Sequence, residues 1–170
     1  MNTFKNRVTE YVIRKKAEKV SRRLSQPMRF PAQSSVISKV LVILPRNLSG
    51  LDNASNFVES LRHTYPGWRV ELFDVDKLTR DDLNRMQLPK NEILEKLRKS
   101  GYHFVVDLNE SLDQLAAYIT LMTEAPYRLH LHTAGTSFYY NIVYQPQQNG
   151  DKQTNYQSLL EYLGRLFVRN

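Results

Sequence analysis

The sequence predicts a three-layer α/β domain with a mostly parallel sheet, preceded by a basic helix. Two observations predict the domain. Short apolar runs are typical of buried strands, and they alternate with segments whose apolar residues recur every three or four positions, as in amphipathic helices. Such alternation is typical of crossover units, in which a helix connects two parallel strands and covers one face of the sheet. The third observation is the charge, because nine of the 24 basic residues but only two of the 17 acidic residues precede residue 31. The net charge of +7 therefore belongs to an arm, and residues 31–170 are neutral.

The arm, residues 1–30, is predicted to be an amphipathic helix and the start of a linker. Residues 25–35 contain Pro27 and Pro31, which end the helix. One side of the helix carries apolar residues at helical spacing: Phe4, Val8, Val12, Ile13, Ala17, Val20 and Leu24. The other side carries the residues that we expect to meet an anionic surface: Arg14, Lys15, Lys16, Lys19, Arg22 and Arg23.

The domain is predicted to cover residues 36–170. Its first strand is the apolar run at residues 40–44, which Pro45 closes, and further strands are expected at residues 68–75, 102–108, 127–132 and 137–144. Helices are predicted between the first two strands (residues 51–65) and before the third (residues 91–100, followed by Gly101). Another is predicted to open with Ser111 and Gln114 as a capping box, and the last contains Tyr156 and Phe167. Several short strands alternating with helices fit one domain of ordinary size.

Polar residues follow the first three predicted strands, where ligands of open α/β sheets bind. The candidates for ligand binding are Arg46, Asn47, Ser49, Asp74, Asp107, Asn109 and Glu110. Such groups can bind sugar hydroxyls or abstract a proton, but Asp, Asn and Ser also cap helices, and we favour capping over catalysis. The sequence predicts no cofactor, because Asn47–Gly50 lacks the glycines of a phosphate-binding loop. It predicts no metal, because it has no cysteine and His130 and His132 have no third ligand nearby.

Three stretches resemble family 9 glycosyltransferases of the lipopolysaccharide heptosyltransferase type. They are K-V-L-V-I-L-P from Lys39, Y-H-F-V-V-D-L-N from Tyr102, which is similar to the family's D-x-V-I-D-L-x-G, and A-P-Y-R-L from Ala125. The resemblance covers residues 38–145 and implies one Rossmann-like half of a two-domain GT-B enzyme, the half that meets the acceptor. The family places a Gly-Asp pair after its first strand, with the Asp as proposed base. Here an ungapped alignment puts Ser49 and Gly50 at that place, so Asp52 is the nearest candidate for the role.

The resemblance also implies that a donor-binding half is missing from these 170 residues and that Glu110 replaces a family glycine. We therefore expect a non-catalytic binding or scaffold domain, docked by its basic helix to an anionic membrane surface or an envelope-assembly protein. The alternatives are an acceptor-side subunit of a split glycosyltransferase and an RNA-associated protein bound through residues 1–30. The arm itself has three interpretations: it lies on a membrane, binds RNA, or docks its apolar stripe on the domain. The expected location is the cytoplasm, at the inner face of the membrane.

Overall fold

The computed structural model describes residues 2–131, 138–146 and 152–169, and the side chains of residues 8–131, 138–146 and 155–169. The helices are α1 (Asn2–Arg23), α2 (Leu51–Thr64), α3 (Asn91–Lys99), α4 (Gln114–Met122) and α5 (Lys152–Leu166). The strands are β1 (Ala32–Gln33), β2 (Lys39–Ile43), β3 (Arg69–Phe73), β4 (Phe104–Asp107), β5 (Tyr127–His130), β6 (Ile142–Val143) and β7 (Phe167–Val168).

The main sheet has five parallel strands in the order β3-β2-β4-β5-β6. Strand β2 lies inside the sheet, where Val40 pairs with Val70 on one side and with Phe104 on the other. The chain thus adds β3 on one side of β2 and then the remaining strands on the other side. The prediction of a parallel, Rossmann-like α/β domain is confirmed.

Helices cover both faces of the sheet, as the unbroken apolar character of its strands predicts. Alternate residues of a strand point to opposite faces. Val40 and Val42 of β2 therefore pack in a core with residues of α2 and α5, while Leu41 and Ile43 pack in a second core with residues of α3 and α4. All four side chains are at most 1% exposed, so β2 is buried on both faces.

Helix α1 packs on the outer side of α4 and extends the domain by a further layer. Ile13, Ala17 and Val20 are buried in a third apolar cluster that includes Ala117 and Leu121 of α4. The part of the predicted apolar stripe that carries these three residues is therefore occupied by the domain itself. This arrangement matches the interpretation in which the stripe docks on the domain.

Within the described residues, the strand expected at residues 137–144 is only Ile142–Val143, because residues 138 and 139 form a turn. Two other local features differ from the sequence-based expectations. The predicted linker contains a short strand, β1, which pairs in parallel with β7 near the C-terminus. Phe30 supports this pairing, because its ring lies 5.8 Å from the ring of Phe167. The second difference is at α4, where Asp113, and not Ser111, is the capping residue: its carboxylate accepts a hydrogen bond from the Ala116 amide at 2.8 Å.

Candidate functional site

A cavity of about 330 Å³ lies beyond the carboxyl ends of β2 and β4. The strand order reverses between these two strands, because β3 joins the sheet beside β2 and β5 joins it beside β4. At such a switch point the connections leave toward opposite faces of the sheet, and a crevice opens between them. Three parts of the chain line the cavity: the loop after β2, residues 109–113 after β4, and Tyr156 of α5.

Arg46 connects three loops at the mouth of this cavity. Its Nε atom donates to Oδ1 of Asp76, after β3, at 2.9 Å, and its Nη2 atom lies 2.8 Å from the same oxygen in an ion pair. Its Nη1 atom donates to Oδ2 of Asp113, before α4, at 2.9 Å. These hydrogen bonds, first that to Asp113 and then that to Asp76, raise the pKa of Arg46. The guanidinium thus bonds two carboxylates, only one of which its charge can balance, and joins the loops after β2, β3 and β4.

Amide side chains order the backbone around the same cavity. Asn109 is 6% exposed, and its Oδ1 accepts a hydrogen bond from the Arg46 backbone amide at 3.0 Å. Asn47 caps the short turn before α2, where its Oδ1 accepts from the Ser49 amide at 3.1 Å and from the Ser49 hydroxyl at 2.8 Å. Asp74 has a similar role after β3, because it accepts from the Asp76 amide at 3.0 Å. The expectation that residues at strand ends serve as caps holds for Asn47 and Asp74.

Asp107 lies beneath the cavity with no exposed surface. Its Oδ1 accepts hydrogen bonds from the Asn109 amide at 3.0 Å and from the Asn109 side chain at 2.7 Å, and its Oδ2 accepts one from the Tyr140 hydroxyl. Burial raises the pKa of Asp107, against the hydrogen bonds from Tyr140 and Asn109, which lower it. Burial, with the nearby Asp107, also raises the pKa of Tyr140 well above its ordinary value. Asp107 therefore anchors Asn109 instead of meeting a ligand itself.

The fold has a known counterpart. The chain is similar to the crystal structure of a family 9 glycosyltransferase from Veillonella parvula DSM 2008, with a TM-score of 0.58 and 16% sequence identity over 75% of this chain. The fold is glycosyltransferase-like. The match spans 41% of that structure's length, so the whole enzyme's activity does not transfer with the fold. No protein-family model and no curated protein sequence matches this chain.

The structure brings together part of the predicted site. Arg46, Asn47, Asn109 and Glu110 line the cavity. Ser49 and Asp74 lie in the neighbouring loops, and Asp107 lies beneath. Asp52 is exposed in the first turn of α2 and is not among the residues that line the cavity. This placement gives no support to its role as base.

Sequence reasoning missed three residues of the site: Asp113, Tyr140 and Tyr156. The signal for Asp113 was its place directly before an apolar helix, but the spacing of Ser111 and Gln114 offered a competing cap. Tyr140 and Tyr156 belong to apolar patterns that predict core positions. Both are indeed largely buried, at 4% and 8% exposure, and only the fold shows that Tyr156 lines the cavity and that Tyr140 donates a hydrogen bond to Asp107 beneath it.

The histidine pair for which the sequence predicts no metal site, His130 and His132, is only partly described. His130 is fully buried and stacks on Tyr140 with 4.6 Å between ring centroids, while His132 lies outside the described residues. Within the described part of the chain, three or more potential metal ligands do not come together anywhere. A helix long and apolar enough to cross a membrane is likewise not found in that part.

The outward face of α1 forms a separate candidate surface. Val8, Tyr11, Lys15, Lys19 and Arg22 recur at intervals of three and four, opposite the buried side of the helix, and all five are exposed. The prediction that Val8 shares the apolar side with Ile13, Ala17 and Val20 is therefore wrong, because the helical turn places it among the cations. Tyr11 is 60% exposed, and the Lys15 ammonium lies 5.4 Å from its ring centroid. We call these five residues the outer stripe.

Three further cations, in the part of α1 whose side chains are described, lie beside the outer stripe. Arg14 and Arg23 pair with Glu18 and Glu124, respectively, and Lys16 is exposed. All six cations predicted to face an anionic surface are solvent-exposed. The helix therefore presents a cationic surface to solvent while its apolar side is in contact with the domain.

Proposed function

We propose that this chain is a glycosyltransferase-like binding domain, which holds a sugar-like ligand in its switch-point crevice without transferring it and rests on an anionic membrane through α1. The observation that carries the proposal is the bonding of Arg46 to Asp76 and Asp113 across the mouth of the cavity. It leaves a rim of amides, hydroxyls and carboxylates, in which Arg46 bonds two of the carboxylates, Asp76 and Asp113, and Glu110 is a further one. Such groups suit the hydroxyls of a neutral sugar.

A general base needs a carboxylate that can reach and accept a proton from its substrate. Asp76 and Asp113 are bound to Arg46, and Asp107 is buried beneath Asn109. Asp52, the nearest counterpart of the family's base, is not among the residues that line the cavity. The positions of these four carboxylates favour binding over transfer, which leaves Glu110 as the carboxylate of the cavity lining that could act as a base.

A second candidate function is that of the acceptor-side half of a split glycosyltransferase. Glu110 favours it, because this exposed residue lines the cavity where an acceptor hydroxyl would bind. The test is calorimetry with nucleotide sugars, alone and with a donor-binding partner encoded by a neighbouring reading frame. Heat of binding or sugar transfer that disappears in Glu110→Gln would support this second function and refute the first.

The crevice is tested by NMR with isotope-labelled protein and the free monosaccharides glucose, galactose and mannose. We expect shifts of the Asn47, Asn109 and Ser111 amides, because these residues border the cavity. Ser111→Glu should weaken the response about tenfold, since it places a bulky charge at the mouth. Ser55→Glu introduces the same side chain on the exposed part of α2 and is the matched control. Unchanged cavity amides with all three sugars would refute the crevice function.

The proposed membrane contact uses the residues of α1 that do not pack on the domain. Its buried residues already pack on α4, so the helix can meet a surface only through the outer stripe and the cations beside it. Lys15, Lys19 and Arg22 can contact anionic head groups, while Tyr11 and Val8 suit the interface between head groups and acyl chains. Binding should therefore be largely electrostatic and sensitive to salt.

Lipid is favoured over RNA because the cationic surface is confined to the arm. A basic stripe along a helix can bind RNA, but residues 31–170 of this chain are neutral, so the domain adds no net positive charge beside the arm. Exposed apolar residues between the cations, such as Val8 at 41% exposure, also suit a lipid interface.

Vesicle flotation tests this contact. The protein should float with vesicles that contain phosphatidylglycerol and not with pure phosphatidylcholine, and salt should release it. Reversing Lys15, Lys19 and Arg22 to Glu should weaken flotation at least tenfold. The control reverses Lys77, Lys96 and Lys99, which gives the same net charge at exposed positions outside the arm. Equal loss in both variants, or RNA binding without flotation, would refute the membrane contact.

A further inference from the structure

A second groove, of about 270 Å³, lies between α2 and α5. From α2 it is lined by Asn53, Asn56 and Ser60, which recur at helical spacing on one side of the helix. From α5 it is lined by Gln157 and Leu160. The two helices pack together through the core beneath, so the groove is a cleft between elements that the fold already holds in place.

The floor of this groove is aromatic. Phe57 and Tyr156 lie against each other with ring centroids 5.5 Å apart, and they are 3% and 8% exposed. Burial raises the pKa of Tyr156 to about 12, so its phenol stays protonated at neutral pH. The residues lining the groove are all uncharged, although 24% of the chain is charged. Amides and hydroxyls around an apolar floor offer hydrogen bonds to hydroxyl groups and contact for the less polar face of a sugar ring.

Tyr156 connects the groove to the crevice, because it lines both cavities. A ligand that occupies the crevice and extends past Tyr156 therefore enters the α2–α5 groove. We propose that this groove is a second subsite for a neutral, hydroxyl-rich ligand, so that crevice and groove together bind an oligosaccharide. The inference rests on the proposed crevice function and adds the ligand class: a chain of uncharged sugars longer than one unit.

The test compares a monosaccharide with trisaccharides in the same NMR experiment. The probes are mannose, mannotriose, maltotriose and cellotriose. At least one trisaccharide should shift amides on both sides of Tyr156, those of Asn53, Asn56 and Ser60 as well as that of Asn109. Mannose should shift only amides at the crevice.

Asn56→Asp measures the contribution of the groove to trisaccharide binding. The substitution replaces the amide, with its two N–H donors, by a charged carboxylate of nearly the same shape. We expect trisaccharide binding to weaken about five- to tenfold and mannose binding to stay unchanged. Unchanged mannose shifts also show that the variant is folded. Asn91→Asp makes the same exchange at an exposed position at the start of α3 and should alter neither titration.

The outcomes separate this inference from the crevice function. If trisaccharides and mannose shift the same crevice amides and Asn56→Asp changes nothing, the subsite is refuted and the crevice function stands. If none of these probes, and neither glucose nor galactose, shifts crevice amides, the crevice function fails, and the extended site fails with it. If a polyasparagine peptide shifts the α2 amides as much as the trisaccharides do, the groove binds peptides, and this result would also overturn the inference.

Discussion

Replacing Tyr140 with Phe tests how much the hydrogen bond to the buried Asp107 carboxylate contributes to stability. The change removes one oxygen atom, and with it the hydrogen bond that the tyrosine hydroxyl donates to Asp107. Asp107 has no exposed surface, so water cannot replace the lost donor without rearrangement. A hydrogen bond to a charged group contributes about 1.5–3 kcal/mol, and a buried acceptor that loses its partner places the cost near the upper end. We expect the free energy of unfolding to fall by about 2–3 kcal/mol, or Tm by about 5–10 °C for a domain of this size.

The effect of Tyr140→Phe should depend on pH in a defined direction. Burial raises the folded-state pKa of Asp107 above its unfolded value, so this group costs stability as pH rises through the folded pKa and costs nothing below the unfolded pKa. The Tyr140 hydrogen bond lowers the folded pKa, and its removal raises that pKa further. The difference between variant and wild type should thus be largest at neutral pH and shrink in acid.

Urea unfolding at neutral and acidic pH, followed by circular dichroism, measures both effects. Tyr139→Phe is the matched control, because Tyr139 belongs to the same cluster and is 9% exposed. A loss below about 0.5 kcal/mol in Tyr140→Phe, or one that does not change with pH, would refute the view that the tyrosine holds Asp107 as an ion.

Three further predictions concern the fold. Val42→Asp should abolish cooperative thermal unfolding, because it puts an unpaired charge in a strand buried on both faces, whereas Leu72→Asp, 48% exposed on the edge strand β3, should still melt cooperatively. Glu71→Gln should destabilise the protein by no more than about 1 kcal/mol at neutral pH. The hydrogen bond from Tyr102 lowers the folded pKa of Glu71. The ionised Glu71 therefore stabilises the fold above its unfolded pKa, and this stabilisation is lost as pH falls through the folded pKa. The difference in unfolding free energy between variant and wild type should accordingly vanish in acid. Asp52→Ala should lower the unfolding free energy by less than about 1 kcal/mol in the same assay, since the residue is exposed and Gly50, not Asp52, is at the cap position; a larger loss would indicate a capping role.

The sheet could be predicted because its signals are local. The apolar run that forms β2 is closed by Pro45, and each later strand is separated from it by a helix with its own apolar spacing. A strand that is buried on both faces lacks the alternation of polar and apolar residues. The absence of this alternation predicts a parallel sheet covered by helices on both faces. The short strand β1 could not be predicted, because its two residues gain their pairing only from β7, at the other end of the chain.

The site could be predicted only in outline. The rule that ligands bind beyond strand ends selected Arg46, Asn47 and Asn109 without any catalytic motif. The same rule could not show that Arg46 binds Asp76 and Asp113, which lie 30 and 67 residues away. Whether a carboxylate is available for catalysis depends on such distant partners, so the sequence could not separate a binding crevice from an active site.

The arm shows how a contact within the fold restricts function. An amphipathic basic helix in isolation can insert its apolar side into a membrane, and the sequence left that possibility open. Burial of Ile13, Ala17 and Val20 against α4 removes those residues from any such insertion, because exposing them would cost the apolar contacts that hold the helix to the domain. What remains for a partner is a cationic surface in which Tyr11 and Val8 are exposed. A surface of this kind binds through charge, so the membrane contact that we propose should be reversible and should respond to salt and to the anionic lipid content of the membrane.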